Sequence, residues 1–138
     1  MPICKKKPKP KSVWNLKDGD RYFVLYHDGD MADYKWKGDT SLGACYRDYG
    51  NIFLTRDEAE KDVERRKVET LLLKYGGRRW FKDGVENWLI VLMEDRLTWF
   101  IYNESIQGVI YFDTEEQAEK AIEEIGKERI KQALFEVR

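Results

Sequence analysis

The segment Lys74-Tyr75-Gly76-Gly77-Arg78-Arg79-Trp80-Phe81-Lys82 interleaves four cations with three aromatic rings around a glycine pair. Cations that hold phosphate beside rings that stack on bases are the composition of a nucleic-acid stacking site. Lys74, Arg78, Arg79, Trp80 and Lys82 are the side chains such a strand would meet. The competing reading anchors Trp80 and Phe81 in a core and leaves the cations in water. A second charged stretch has the opposite sign, since Asp113 to Glu124 carries six acids against one lysine. Asp113, Glu115, Glu116, Glu119 and Glu123 would offer a docking surface to a basic partner. The same run also reads as a solvated helix face.

Reaction chemistry is poorly supplied. His27 is the one histidine, which excludes His-based metal sites and leaves a single base for any Ser or Cys nucleophile. It stands beside Asp28 at an expected turn, where a solvent-exposed imidazole is the plain reading. Cys4 and Cys45 have neither CxxC spacing nor a disulfide framework, and Cys45 reads as a core or loop residue. Asp28-Gly29-Asp30 with Asp33 and Asp39 suggests a calcium loop but misses the spacing of one, because Ala32 and Asp33 fall where the third acid and the glycine belong. Gly76-Gly77-Arg78-Arg79 follows a helix and lacks the Lys-Ser/Thr of a phosphate loop. The expectation is a protein that is not an enzyme and takes neither metal nor cofactor.

Composition sets the scale. A chain of 138 residues and 16.5 kDa fits one compact domain, and its 42% apolar and 14% aromatic content can fill a core. Charged residues make up 37%, the mean hydropathy is -0.71 and the net charge is -1, so charge balance alone does not make it a polyanion binder. No run approaches the roughly 20 apolar residues of a membrane span. The start, Met1-Pro2-Ile3-Cys4 followed by lysines, has no apolar signal-peptide core. With cysteines that form no framework, a cytoplasmic location is expected. Five lysines between Lys5 and Lys11, broken by prolines, read as a disordered basic arm over residues 1–12.

The elements that must position these residues come from a repeat. Asn51-Ile-Phe-Leu-Thr55-Arg-Asp-Glu-Ala-Glu-Lys61 returns 59 residues later as Ile110-Tyr-Phe-Asp-Thr114-Glu-Glu-Gln-Ala-Glu-Lys120. Each copy is an apolar run, a Thr cap, an acidic first turn and Glu58 or Gln117 three residues on, which is a capping box. The helices are predicted over about 57–75, ended by Gly76-Gly77, and about 115–125, ended by Gly126. Ala118, Ala121, Ile122 and Ile125 are spaced for one buried face. Strands are expected at about 21–27, 31–37, 51–54, 88–93, 97–102 and 109–112, with hairpins at Asp28-Gly29 and about Glu94-Asp95-Arg96. Residues 38–50 read as a loop, and a last short helix carries Ile130, Ala133, Leu134 and Val137. The result is an α+β domain over residues 13–138, built from two related β-β-β-α units at about 19–76 and 86–126 with the helices gathered on one side. Spacing leaves open whether six strands make one sheet or two.

Trp14, Gly19-Asp20, Tyr22, Asp28-Gly29, Trp36, Gly50-Asn51, Phe53, Thr55 to Glu60, Asp113 to Ala118 and Ile125 to Ile130 together resemble a group of small proteins. These are encoded by phages and prophages of Gram-positive bacteria. The similarity spans about residues 14–138 and lies in turns, aromatic positions and caps. The Lys-rich arm lies outside it, and Arg66 stands where such proteins place an apolar residue. The resemblance implies a phage source and a cytoplasmic site in the host cell. Two functions are then expected as alternatives. One is a phage accessory protein that binds a host protein, in its most specific form an inhibitor of a CRISPR-type defence nuclease. The other is a nucleic-acid module using the arm and residues 74–82.

Overall fold

Four consecutive apolar residues, Tyr22-Phe23-Val24-Leu25, are all buried, as a central strand covered on both faces requires. They belong to β1 (Arg21–Leu25), flanked by β2 (Met31–Lys35) and β3 (Ile52–Phe53) in the antiparallel order β2-β1-β3. Tyr22 faces Tyr34 and Val24 faces Ile52 across the ladders. The connection is a five-residue loop, Tyr26 to Asp30, in which Gly29 takes φ +88° and the Asp28 carboxylate accepts from the Asp30 N–H at 3.0 Å. It is longer than the two-residue turn suggested by Asp28-Gly29, and His27 is exposed in it. The computed structural model describes residues 8–38 and 41–135; Cys4, Lys5 to Lys7, Asp39 and Val137 lie outside them. It divides into two units, Met1–Val63 and Glu64–Arg138.

Within the expected loop 38–50 the chain forms a helix, α1 (Leu42–Asp48). Glycine at its second position argues against helix by propensity, but the packing demands it. A Cβ built on Gly43 would stand 2.5 Å from the Tyr22 hydroxyl and 3.2 Å from the Trp36 ring. Gly43→Ala should therefore destabilise the fold by about 1–3 kcal/mol, overriding the roughly 1 kcal/mol that alanine gains in a helix; urea denaturation gives the sign. Cys45, expected in a core or a loop, is an exposed residue of this helix. Arg47 lies between two indoles, its guanidinium carbon 4.5 Å from the Trp14 centroid and 4.9 Å from that of the buried Trp36.

The long helix α2 (Arg56–Lys74) begins where the Thr55 hydroxyl accepts from the Glu58 N–H at 3.2 Å. The unit boundary falls inside it, and its buried Val68 and Leu72 join the core of the second unit. It ends as the glycine pair predicts. Gly76 takes φ +103°, the Gly76 and Gly77 N–H groups donate to the Leu73 and Leu72 carbonyls, and the helix closes in a Schellman motif.

In the second unit, β4 (Trp88–Met93), β5 (Arg96–Ile101) and β6 (Tyr111–Phe112) form a separate antiparallel sheet in the order β5-β4-β6. So the fold is α+β with two three-stranded sheets rather than one of six. Glu94 and Asp95 make the β4–β5 turn with φ +47° and +66°, the signs a two-residue type I′ hairpin needs. The second capped helix, α3 (Glu115–Ile125), has its predicted bounds. Its Thr114 hydroxyl accepts from the Gln117 N–H at 3.2 Å, and the Gln117 amide oxygen accepts from Asp113, one residue before the cap, also at 3.2 Å. The last segment is α4 (Lys127–Ile130) followed by a π-helical turn over Lys131–Phe135. The core gathers Val68, Leu72, Leu97, Phe112, Ala118, Ala121, Ile122, Ile125 and Ile130, and a 2.6 Å ion pair ties Arg129 to Glu64.

Candidate functional site

The basic and aromatic segment divides along its length. Arg78 retains only 12% side-chain exposure, and all three of its guanidinium nitrogens donate within the fold. It donates to the Asp113 carboxylate at 2.8 Å, the Asn87 amide oxygen at 2.7 Å and the Trp80 and Glu86 carbonyls at 2.5 and 3.2 Å. Its backbone pairs with Tyr111, at the edge of β6. Asn87, only 1% exposed, completes the brace by accepting from the Lys82 N–H and donating to the Lys82 and Val85 carbonyls. A backbone loop that would otherwise leave polar groups unpaired is thus satisfied by two side chains. Phe81 sits edge-on against Tyr111 at 5.8 Å.

Trp80 does the opposite and is 77% exposed. The expected anchoring of both rings therefore holds for Phe81 and not for Trp80, and the expected wetting of the cations fails at Arg78. Lys74 and Lys82 are exposed, with the Lys74 ammonium 5.4 Å from the Tyr75 ring centre, and Arg79 is half exposed, 3.8 Å from Glu69. Arg78 is a structural residue, so a nucleic acid here would meet Lys74, Arg79, Trp80 and Lys82 without it.

The acidic stretch divides in the same way. Arg78 joins the two predicted sites by neutralising Asp113, whose carboxyl its hydrogen bond, aided by its charge and that of Lys82, holds below the usual carboxylate range. Glu115 accepts from the Trp99 indole at 2.9 Å. Glu116, Glu119 and Glu123 are exposed, and their side chains make no hydrogen bond or ion pair among the described residues. They lie at i, i+3 and i+7, one stripe along the outer face of α3, while Ala118, Ala121, Ile122 and Ile125 hold the opposite face in the core. The stripe is a row of negative charge carried on the fixed backbone of a capped and packed helix.

The first unit carries a cleft that no sequence signal announced. Tyr22, Tyr26, Tyr34 and Tyr46 line a cavity of about 220 Å³ with Val24, Leu42 and Gly43, and Lys35 and Lys37 stand at it. The Tyr26 and Tyr34 hydroxyls meet at 2.5 Å, and that hydrogen bond is the main reason the Tyr26 phenol is pushed up to about 12. Such a cleft has room for one flat ring, below the roughly 300 Å³ of a typical ligand pocket. It depends on α1, which is why strand patterning did not reveal it. Among the described residues no three His, Cys, Asp or Glu side chains converge to hold a metal ion, and no helix is long and apolar enough to cross a membrane. Compared with protein-family models, with curated proteins and with solved structures, the chain matches none.

Proposed function

We propose that this chain is a non-enzymatic phage accessory protein that docks the outer face of α3 on a basic surface of a host protein. The resemblance to small phage and prophage proteins supports the host cytoplasm as its place of action and a CRISPR-type defence nuclease as the specific partner class. The observation that carries the docking face is the unpaired stripe Glu116, Glu119 and Glu123 on a helix fixed by its cap and four buried side chains. A backbone already held in place loses little freedom on binding, and a row of three acids, with Lys120 the one cation beside it, steers a basic partner to it. Asp113 and Glu115 lie at the start of that row, each tied internally.

Nucleic acid is the second reading, favoured by the exposure of Trp80 beside Lys82 and by the lysine arm. The internal commitment of Arg78 weighs against it. Fluorescence anisotropy of labelled single-stranded DNA, duplex DNA and RNA across a salt series separates the two. The protein-docking reading expects nothing tighter than roughly micromolar, steeply lost with salt and indifferent to Trp80→Ala, as for non-specific contacts. Tighter binding that falls with Trp80→Ala and with Lys74 and Lys82 replaced would establish the nucleic-acid reading in its place.

A further inference from the structure

The two sheets have four edges, and three are blunted. In the first sheet, β2 carries Asp33 and Lys35, and β3 is only two residues long. In the second, β6 is two residues long and its Tyr111 is paired to the Arg78 backbone. Charge, shortness and cover are the usual protections of an edge strand. The fourth edge is neither short nor paired to another segment among the described residues. β5 runs six residues as Arg96-Leu-Thr-Trp-Phe-Ile101, with its single charge at the hairpin end.

The free groups on that edge follow from the hairpin. Tyr102 donates its N–H to the Asn87 carbonyl, and the register pairs Phe100 with Leu89, Thr98 with Val91 and Arg96 with Met93. In an antiparallel ladder only alternate residues bond to a given neighbour. The even-numbered residues of β5 therefore bond to β4, and Leu97, Trp99 and Ile101 turn their N–H and C=O outward. No backbone bond from these three meets another described residue. The same three side chains share one face of the pleat, while Met93, Phe100, Ile101 and Tyr102 are each at least 40% exposed around the edge.

We propose that β5 pairs antiparallel with β5 of a second copy of this chain, about a two-fold axis through Trp99, to give one continuous six-stranded sheet. This register uses every free group: Trp99 faces its counterpart and Leu97 faces Ile101 twice, three reciprocally bonded pairs in all. Because each pair joins odd-numbered residues, the apolar face carrying Leu97, Trp99 and Ile101 continues across the axis, and a one-residue slip would turn it over. Arg96 falls opposite Tyr102, so the only charge in the strand does not meet itself. A self-complementary strand related by a two-fold is the form an isologous contact takes.

Sedimentation equilibrium of the full chain tests this, with Ile101→Pro and Ile101→Lys as variants and circular dichroism to confirm their folding. Proline at 101 removes an N–H that the monomer does not use, which an edge strand tolerates, and lysine there is the protection the natural strand lacks. The expected result is a species of twice the 16.5 kDa chain mass for the parent and monomers for both variants. Should either variant misfold, the other still decides. A parent that stays monomeric at high concentration, or a dimer that survives in a folded variant, overturns the proposal; a parent monomer that nevertheless captures a strand-forming peptide would assign the edge to a foreign strand.

Discussion

Phe112→Ala is expected to lower the stability of the second unit by about 3–5 kcal/mol, the range for emptying a fully buried aromatic site. Phe112 is wholly buried and lies opposite Trp88 on a strand of two residues. The residues gathered with it are chiefly alanines and branched aliphatics, Ala118, Ala121, Ile122, Val68 and Leu72. Alanines on α3 cannot extend to fill the space, and a helix fixed at both ends by Thr114 and Gly126 cannot collapse into it. Since small domains hold about 5–15 kcal/mol in all, the variant should melt at a much lower urea concentration. Phe112→Leu, which keeps most of the volume, should lose under about 2 kcal/mol. A loss below about 1 kcal/mol for the alanine variant, read from urea denaturation, would contradict this packing.

Asn87→Ala is expected to cost about 2–3 kcal/mol, for a different reason. Four hydrogen bonds meet at this buried amide: two accepted, from Arg78 and the Lys82 N–H, and two donated, to the Lys82 and Val85 carbonyls. Its removal leaves backbone groups and a guanidinium branch unpaired, and each unsatisfied group costs about 1–3 kcal/mol where water cannot reach it. Asn87→Asp distinguishes hydrogen bonding from shape. It keeps the oxygen that accepts from Arg78 and Lys82, but it turns a second carboxylate oxygen towards two carbonyl oxygens, so it should still destabilise despite its near-identical volume. An aspartate variant as stable as the parent would show that the two donated bonds contribute little beside the bond from Arg78.

What was legible in the sequence was what local chemistry dictates. α3 has its predicted bounds because Thr114, the acidic first turn and Gly126 mark them within twelve residues. β4 is likewise predicted to the residue, as an apolar run closed by its turn. Three features were not legible, each because its cause lies far along the chain. Gly43 looks like a helix breaker until Tyr22 and Trp36 are packed against it. Arg78 looks like a free cation because its partner Asp113 is 35 residues away. The division into two sheets depends on which strand edges meet, which the period-two pattern of each strand does not encode. The acidic stripe could be located from spacing alone, but its reduction to Glu116, Glu119 and Glu123 required the contacts of Asp113 and Glu115.

Affinity capture from a lysate of the proposed Gram-positive host, with the parent, a Glu116→Lys/Glu119→Lys/Glu123→Lys variant and a Lys74→Glu/Lys82→Glu variant as baits, tests the docking face most directly. All five positions are exposed, so the three baits should be equally folded. The docking face predicts a protein retained by the parent and by the lysine variant after nuclease treatment, released as salt rises, and lost from the glutamate variant. The same protein retained equally by the glutamate variant, or capture abolished by nuclease, would contradict it.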